Sequence, residues 1–164
     1  MTRKLSDSLS VTFPFMQTDI GGTNTSGSDD TLHWVSMEEF QSFLCLLELG
    51  TWNAADDLDT CKLEQATDSA GSGKKDLTTS ASGGNYDTDA PVDAITNKVI
   101  LECQADDLDV ANGFTHVRVY AAEAGNTGVD NVSAVYVRAN ARYAKDDLLG
   151  TAAAGALVYV SVNT

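Results

Sequence analysis

The stretch Phe114–Ala122, FTHVRVYAA, decides the fold. Val117 and Val119 fall on one face of an extended chain, and His116 and Arg118 on the other. A period of two in β-branched and aromatic residues is the pattern of a strand with one face in a core. The pattern recurs on both sides. Lys98–Cys103 places Val99, Leu101 and Cys103 on one face. Val132–Ala139 reads with Val135 and Val137 inward and Tyr136 and Arg138 outward. Asp59–Gln65 carries Cys61 and Leu63 inward, Leu32–Met37 reads as a strand, and a final run aligns Val158, Val160 and Val162. Leu9–Met16 reads as a short strand that Pro14 confines to a sheet edge, because proline cannot donate to a ladder. Short strands separated by Gly-rich turns predict an all-β protein, a single β-sandwich or jelly-roll-like domain.

A chain of 164 residues fits one domain. The sandwich is expected over residues 31–164. Residues 1–30 read as an N-terminal arm, a strand followed by a linker carrying Gly21-Gly22 and Gly27. Thr67–Ala90, punctuated by Gly71, Gly73, Gly83 and Gly84, is long for a loop in a compact domain and reads as functional or as part of a hairpin. The segment 38–49 carries two signals. Ser36 and Glu39 have capping-box spacing, and Phe40, Phe43, Leu44 and Leu47 recur at helical intervals before Gly50. The same residues also make a dense apolar run of strand length.

The net charge is −14, with 10 basic residues scattered among 24 acidic ones. Nucleic-acid binders neutralise phosphates with clustered Lys and Arg, so no nucleic-acid partner is expected. The charge favours solubility and a place on the outside of an assembly. No apolar run approaches the ~18–20 residues of a bilayer span, and no secretory h-region follows Arg3-Lys4. No membrane partner is expected, and the protein is expected to be made and folded in a cytoplasm, or to be the mature form of something else. Cys45, Cys61 and Cys103 sit among apolar neighbours without CxxC spacing, as buried reduced thiols do.

The chemistry tests point away from catalysis. Gly71-Ser72-Gly73-Lys74-Lys75 resembles the end of a phosphate loop, but Asp68 and Lys75 occupy positions that need Gly and Ser or Thr. No G-x-S-x-G elbow occurs. His33 and His116 lie in strand patterns and read as structural. Ala55-Asp56-Asp57-Leu58-Asp59 recurs as Ala105-Asp106-Asp107-Leu108-Asp109, with a weaker echo at Asp146-Asp147-Leu148. A calcium site at Asp56, Asp57 and Asp59 or at Asp106, Asp107 and Asp109 is the rival to a turn in which Asp bonds nearby backbone N–H groups. The turn is the cheaper reading. No enzyme activity and no cofactor or metal is expected.

Between Lys98 and Tyr143 several motifs follow one another in order. They are Val99-Ile100-Leu101-Glu102, Ala105-Asp106-Asp107-Leu108-Asp109, Asn112-Gly113-Phe114, Val117-Arg118-Val119 and Ser133-Ala134-Val135-Tyr136-Val137-Arg138. Upstream stand Trp34-Val35-Ser36-Met37, Leu49-Gly50, Lys62-Leu63-Glu64-Gln65-Ala66-Thr67-Asp68 and Gly71-Ser72-Gly73-Lys74-Lys75-Asp76. Together, over residues 32–143, they resemble the tailed-phage head decoration, or capsid cement, proteins. The resemblance implies a β-sandwich on the capsid exterior of a virion, made in the host cytoplasm. It implies the major capsid protein as partner, a homo-oligomer with a trimer favoured, and a strand over Phe40–Leu49.

Arg and aromatic residues are enriched at protein interfaces. The expected outward set Arg118, Tyr120, Tyr136 and Arg138, with the arm residues Arg3 and Lys4, is therefore the candidate interface, against an ordinary solvated face. Two rivals stand beside the decoration reading. One is another phage structural component of tail or neck. The other is a carbohydrate- or Ca²⁺-binding adhesion module in which Trp34, Trp52 and Tyr86 stack on sugars.

Overall fold

The computed structural model of the chain describes residues 8–19, 33–50, 58–77, 98–123 and 131–142. Eight strands are described: β1 (Leu9–Asp19), β2 (Val35–Ser36), β3 (Phe40–Leu49), β4 (Leu58–Ala66), β5 (Lys75–Asp76), β6 (Lys98–Gln104), β7 (His116–Glu123) and β8 (Asn131–Ala141). They form two antiparallel four-stranded sheets. Sheet A has the order β1-β8-β3-β6, and sheet B the order β2-β7-β4-β5. The protein is all-β, as the alternation predicts. Phe43, Cys45, Leu47, Leu49, Val99, Leu101, Cys103, Val132, Ala134 and Tyr136 from sheet A meet Cys61, Leu63, Val117, Val119 and Ala121 from sheet B in one buried cluster. Pro14 lies on β1, which is an edge strand of sheet A paired with β8. The run Val158–Val162 lies outside the described residues.

The competing signals over residues 38–49 resolve to a strand. Ser36 spends its hydroxyl locally: Oγ accepts the Glu38 N–H (3.2 Å) and donates to Glu38 Oε2 (3.2 Å). The Met37 N–H meanwhile donates to Thr115 O (2.8 Å), which holds the chain against β7 instead of starting a helix. β3 then runs between β6 and β8, so both sides of its backbone are satisfied. Phe43, Cys45, Leu47 and Leu49 are buried at a period of two. The helical spacing arises because a central strand is apolar on both faces.

The expected facing of β8 is reversed. Val132, Ala134 and Tyr136 point into the core, while Val135 and Val137 lie half-exposed on the opposite face. A shift of one residue exchanges the faces of a strand, and here packing against β3 sets the phase. Tyr136 is the cross-strand partner of the small Cys45, and Ala134 that of Leu47, so a large ring fits where the neighbour is small. Phe43 packs edge-on to the Tyr136 ring (centroids 5.0 Å, 67°). β2 is also shorter than the expected Leu32–Met37; only Val35 and Ser36 pair with β7.

The first part of the Gly-rich segment is a hairpin, with Gln65 opposite Lys75 and Glu64 opposite Asp76. The Asp68 carboxylate organises its turn by accepting the Ala70 (2.9 Å) and Ser72 (3.0 Å) N–H groups. Gly71 has φ +80°, and a Cβ there would stand 2.6 Å from Trp34 Nε1. Gly73 has φ +63° but only distant neighbours. A left-handed non-glycine residue costs about 1–2 kcal/mol. Gly73→Ala is expected to cost about that much, and Gly71→Ala more, because it must also displace the indole. Urea midpoints of the two variants check the order.

Candidate interaction surface

Of the six expected interface residues, sheet B holds Arg118 and Tyr120, both on β7. Arg118 is the cross-strand partner of Glu64 on β4, and it is buried at 1% exposure. Its Nε (2.8 Å) and Nη2 (2.7 Å) both donate to Glu64 Oε2. The Trp34 ring covers the guanidinium at 4.7 Å. Arg118 thus lies on the face opposite the core, as its phase predicts, yet it is sealed from solvent. Tyr120, two residues on, is half-buried beside Lys62, whose Nζ sits 5.3 Å from the ring centroid and donates to Asp76 (2.6 Å).

The two residues on β8 are framework. Tyr136 has no exposed surface, and its hydroxyl accepts the Val119 N–H (2.8 Å) across the sandwich. Val119 lies beyond the reach of the two-residue β2, which pairs β7 only at His116 and Val117. Burial pushes the Tyr136 phenol well above its ordinary range. Arg138 is half-buried at the end of the core face. Its Nη1 donates to Ser36 O (2.9 Å), its Nη2 to Ser10 Oγ (2.9 Å), and the guanidinium lies 4.8 Å from the Phe40 ring centroid. Arg138 therefore ties β1 and β8 of one sheet to β2 of the other. Arg3 and Lys4 lie outside the described residues, as do Trp52 and Tyr86; Trp34 is buried.

The surface that sequence reading missed is the outer face of sheet A. Val135, Leu46 and Ile100 are successive cross-strand neighbours on β8, β3 and β6. Leu46 is 43% exposed and Ile100 65%. Val11, Val137 and Leu44 form the adjacent row, and Phe13 on β1 is 42% exposed. Ser133, Glu48 and Lys98 border the apolar rows. The signal was present in FLCLLEL and VSAVYV, which are apolar in both phases. An antiparallel strand that is apolar on both faces needs a second contact.

The Asp-rich segment folds as two 3-10 turns, Ala105–Asp107 and Val110–Asn112. Asp107 Oδ2 accepts the Gln104 N–H (2.7 Å), the local bonding expected of such a turn. The Asp109 carboxylate receives Lys75 Nζ (2.5 Å) and Asn112 Nδ2 (2.9 Å to each oxygen). Lys75 also sits over the Phe114 ring (4.1 Å). Among the described residues no three His, Cys, Asp or Glu side chains are grouped as metal ligands would be. Asp56, Asp57 and the Asp59 side chain lie outside them. The three cysteines are buried and form no disulfide, and burial pushes the Cys103 thiol up to about 12.

Acid is expected to weaken the sandwich through three groups. Burial holds the half-buried His116 imidazole below its usual 6.5, against the pull of Glu38 and Asp68. Asp109 is held low chiefly by Lys75 and Asn112, and Asp68 by Ser72. Each binds protons more readily unfolded than folded, so stability falls as pH drops. Melting temperature is expected to decline first below pH 6.5, through His116, and again below about pH 4, through the aspartates. His116→Gln is expected to remove the first decline and leave the second. No family model, curated protein or solved structure matches the chain.

Proposed function

We propose that this protein is a virion structural protein, a decoration or cement protein that binds the outer surface of a phage head and stabilises it. The observation that carries the reading is the apolar outer face of sheet A, centred on Leu46 and Ile100 in the two-sheet fold. The resemblance carried by the ordered motifs of residues 32–143 implies the major capsid protein as the partner. Bridging neighbouring capsomers would add buried apolar surface worth roughly 25 cal/mol per Å² against the outward pressure of packaged DNA. The summed effect of many copies makes a modest single contact sufficient. The net charge of −14 suits a position outside the shell, away from the packaged nucleic acid.

Cosedimentation with purified heads tests this reading. The wild-type protein is expected to pellet with heads, and Leu46→Lys to lose at least about tenfold in affinity, since one buried large apolar side chain is worth about 1.5–3 kcal/mol. Pelleting with isolated tails instead would make the protein a tail or neck component. Glycan binding abolished by Trp52→Ala would favour the adhesion module.

A further inference from the structure

β6 is an edge strand: among the described residues it pairs only with β3. A free edge presents a row of backbone donors and acceptors to any second strand. Natural edges are blunted by proline, bulges or charge; KVILE over residues 98–102 has no proline and pairs with β3 without a bulge, and its two charges, Lys98 and Glu102, are of opposite sign. Lys98, Ile100 and Glu102 face outward, and Val99 and Leu101 face the core. Ile100, at the centre, is the most exposed large apolar side chain among the described residues.

We propose that two copies of the chain join edge to edge, β6 antiparallel to β6, about a two-fold axis at Ile100. Lys98 of one copy then faces Glu102 of the other at both ends of the contact. Ile100 meets its own copy, and Val99 lies opposite Leu101 beneath. The charges select this arrangement. Parallel pairing sets Lys98 against Lys98 and Glu102 against Glu102. A slip of two residues breaks both ion pairs, and a slip of one turns the apolar face outward. On a chain of net charge −14 most self-docked surfaces bring carboxylates together, whereas here a lysine meets a carboxylate twice. Exposed ion pairs add little energy by themselves, so they set orientation and register. Backbone ladder bonds and the burial of Ile100 supply the attraction.

The contact is isologous and closes as a dimer, in place of the three-fold association that the resemblance favours. Each four-stranded sheet A becomes half of an eight-stranded one. The row Val135–Leu46–Ile100 continues into the partner, which doubles the apolar face proposed to meet the capsid. The dimer forms without any capsid, so its failure is separable from failure of the decoration reading.

Sedimentation velocity of the full chain over a wide concentration range is the test, with melting curves to show that each variant is folded. The wild-type chain is expected to reach twice its 17.3 kDa mass. Lys98→Glu and Glu102→Lys, each alone, are expected to stay monomeric where the wild type is dimeric. Mixing the two singly substituted chains, or combining both substitutions in one chain, restores the dimer. A wild type that is monomeric at every concentration overturns the proposal. So do single variants that associate as the wild type does, or a mixture that stays monomeric.

Discussion

Glu64→Ala is expected to lower the unfolding free energy by about 3–5 kcal/mol, the usual consequence of removing one partner from a buried ion pair. The reason is the surroundings of Arg118. Its guanidinium is sealed between the Trp34 ring and the central strands of sheet B, and two of its N–H groups point at a single Glu64 oxygen. Without that oxygen a permanent charge is left in a site with almost no access to water. Urea denaturation reads the effect as a lower midpoint with an unchanged slope. Replacing both partners, with Arg118→Met and Glu64→Leu, is expected to recover most of the loss, because paired apolar side chains of similar volume need no compensation. A double variant as unstable as the single one would show that Arg118 acts through contacts other than Glu64.

Tyr136 carries the second large effect. Tyr136→Ala removes a fully buried ring that packs on Phe43, and is expected to cost about 3–5 kcal/mol. Tyr136→Phe keeps the ring and removes only the acceptor of the Val119 N–H, leaving a buried donor unsatisfied at about 1–3 kcal/mol. The gap between the two variants separates packing from the hydrogen bond that joins the sheets. If Tyr136→Phe matches the wild type, the hydroxyl is not a structural bridge.

These two residues also show where sequence reading succeeds and stops. Alternation in β6 and β7 gave the right faces, because Arg118 separates Val117 from Val119, and Lys98 and Glu102 flank the outward Ile100 in a phase of their own. In β8 both phases are apolar, and the β-branched Val135 and Val137 look more like core than Tyr136 does. What placed Tyr136 inward was Cys45 opposite it, a long-range pairing invisible to local pattern. The same blindness hid the outer face of sheet A: Leu46 and Ile100 become neighbours only once β3 and β6 are paired. Arg118 was correctly placed off the core, but nothing local announced that Trp34, 84 residues earlier by subtraction of the two numbers, would cover it. In residues 38–49, the helical spacing was outweighed by tertiary pairing on both sides of β3, in agreement with the strand that the resemblance implied.

We propose that the protein decorates a phage head through the outer face of sheet A. Reconstructions of heads with and without the protein test it most directly. The expected result is added density on the outside of the capsid lattice, repeated with the icosahedral symmetry, with Leu46 and Ile100 against the shell. Identical reconstructions, or added density that presents sheet B to the shell and leaves Leu46 in solvent, would contradict it.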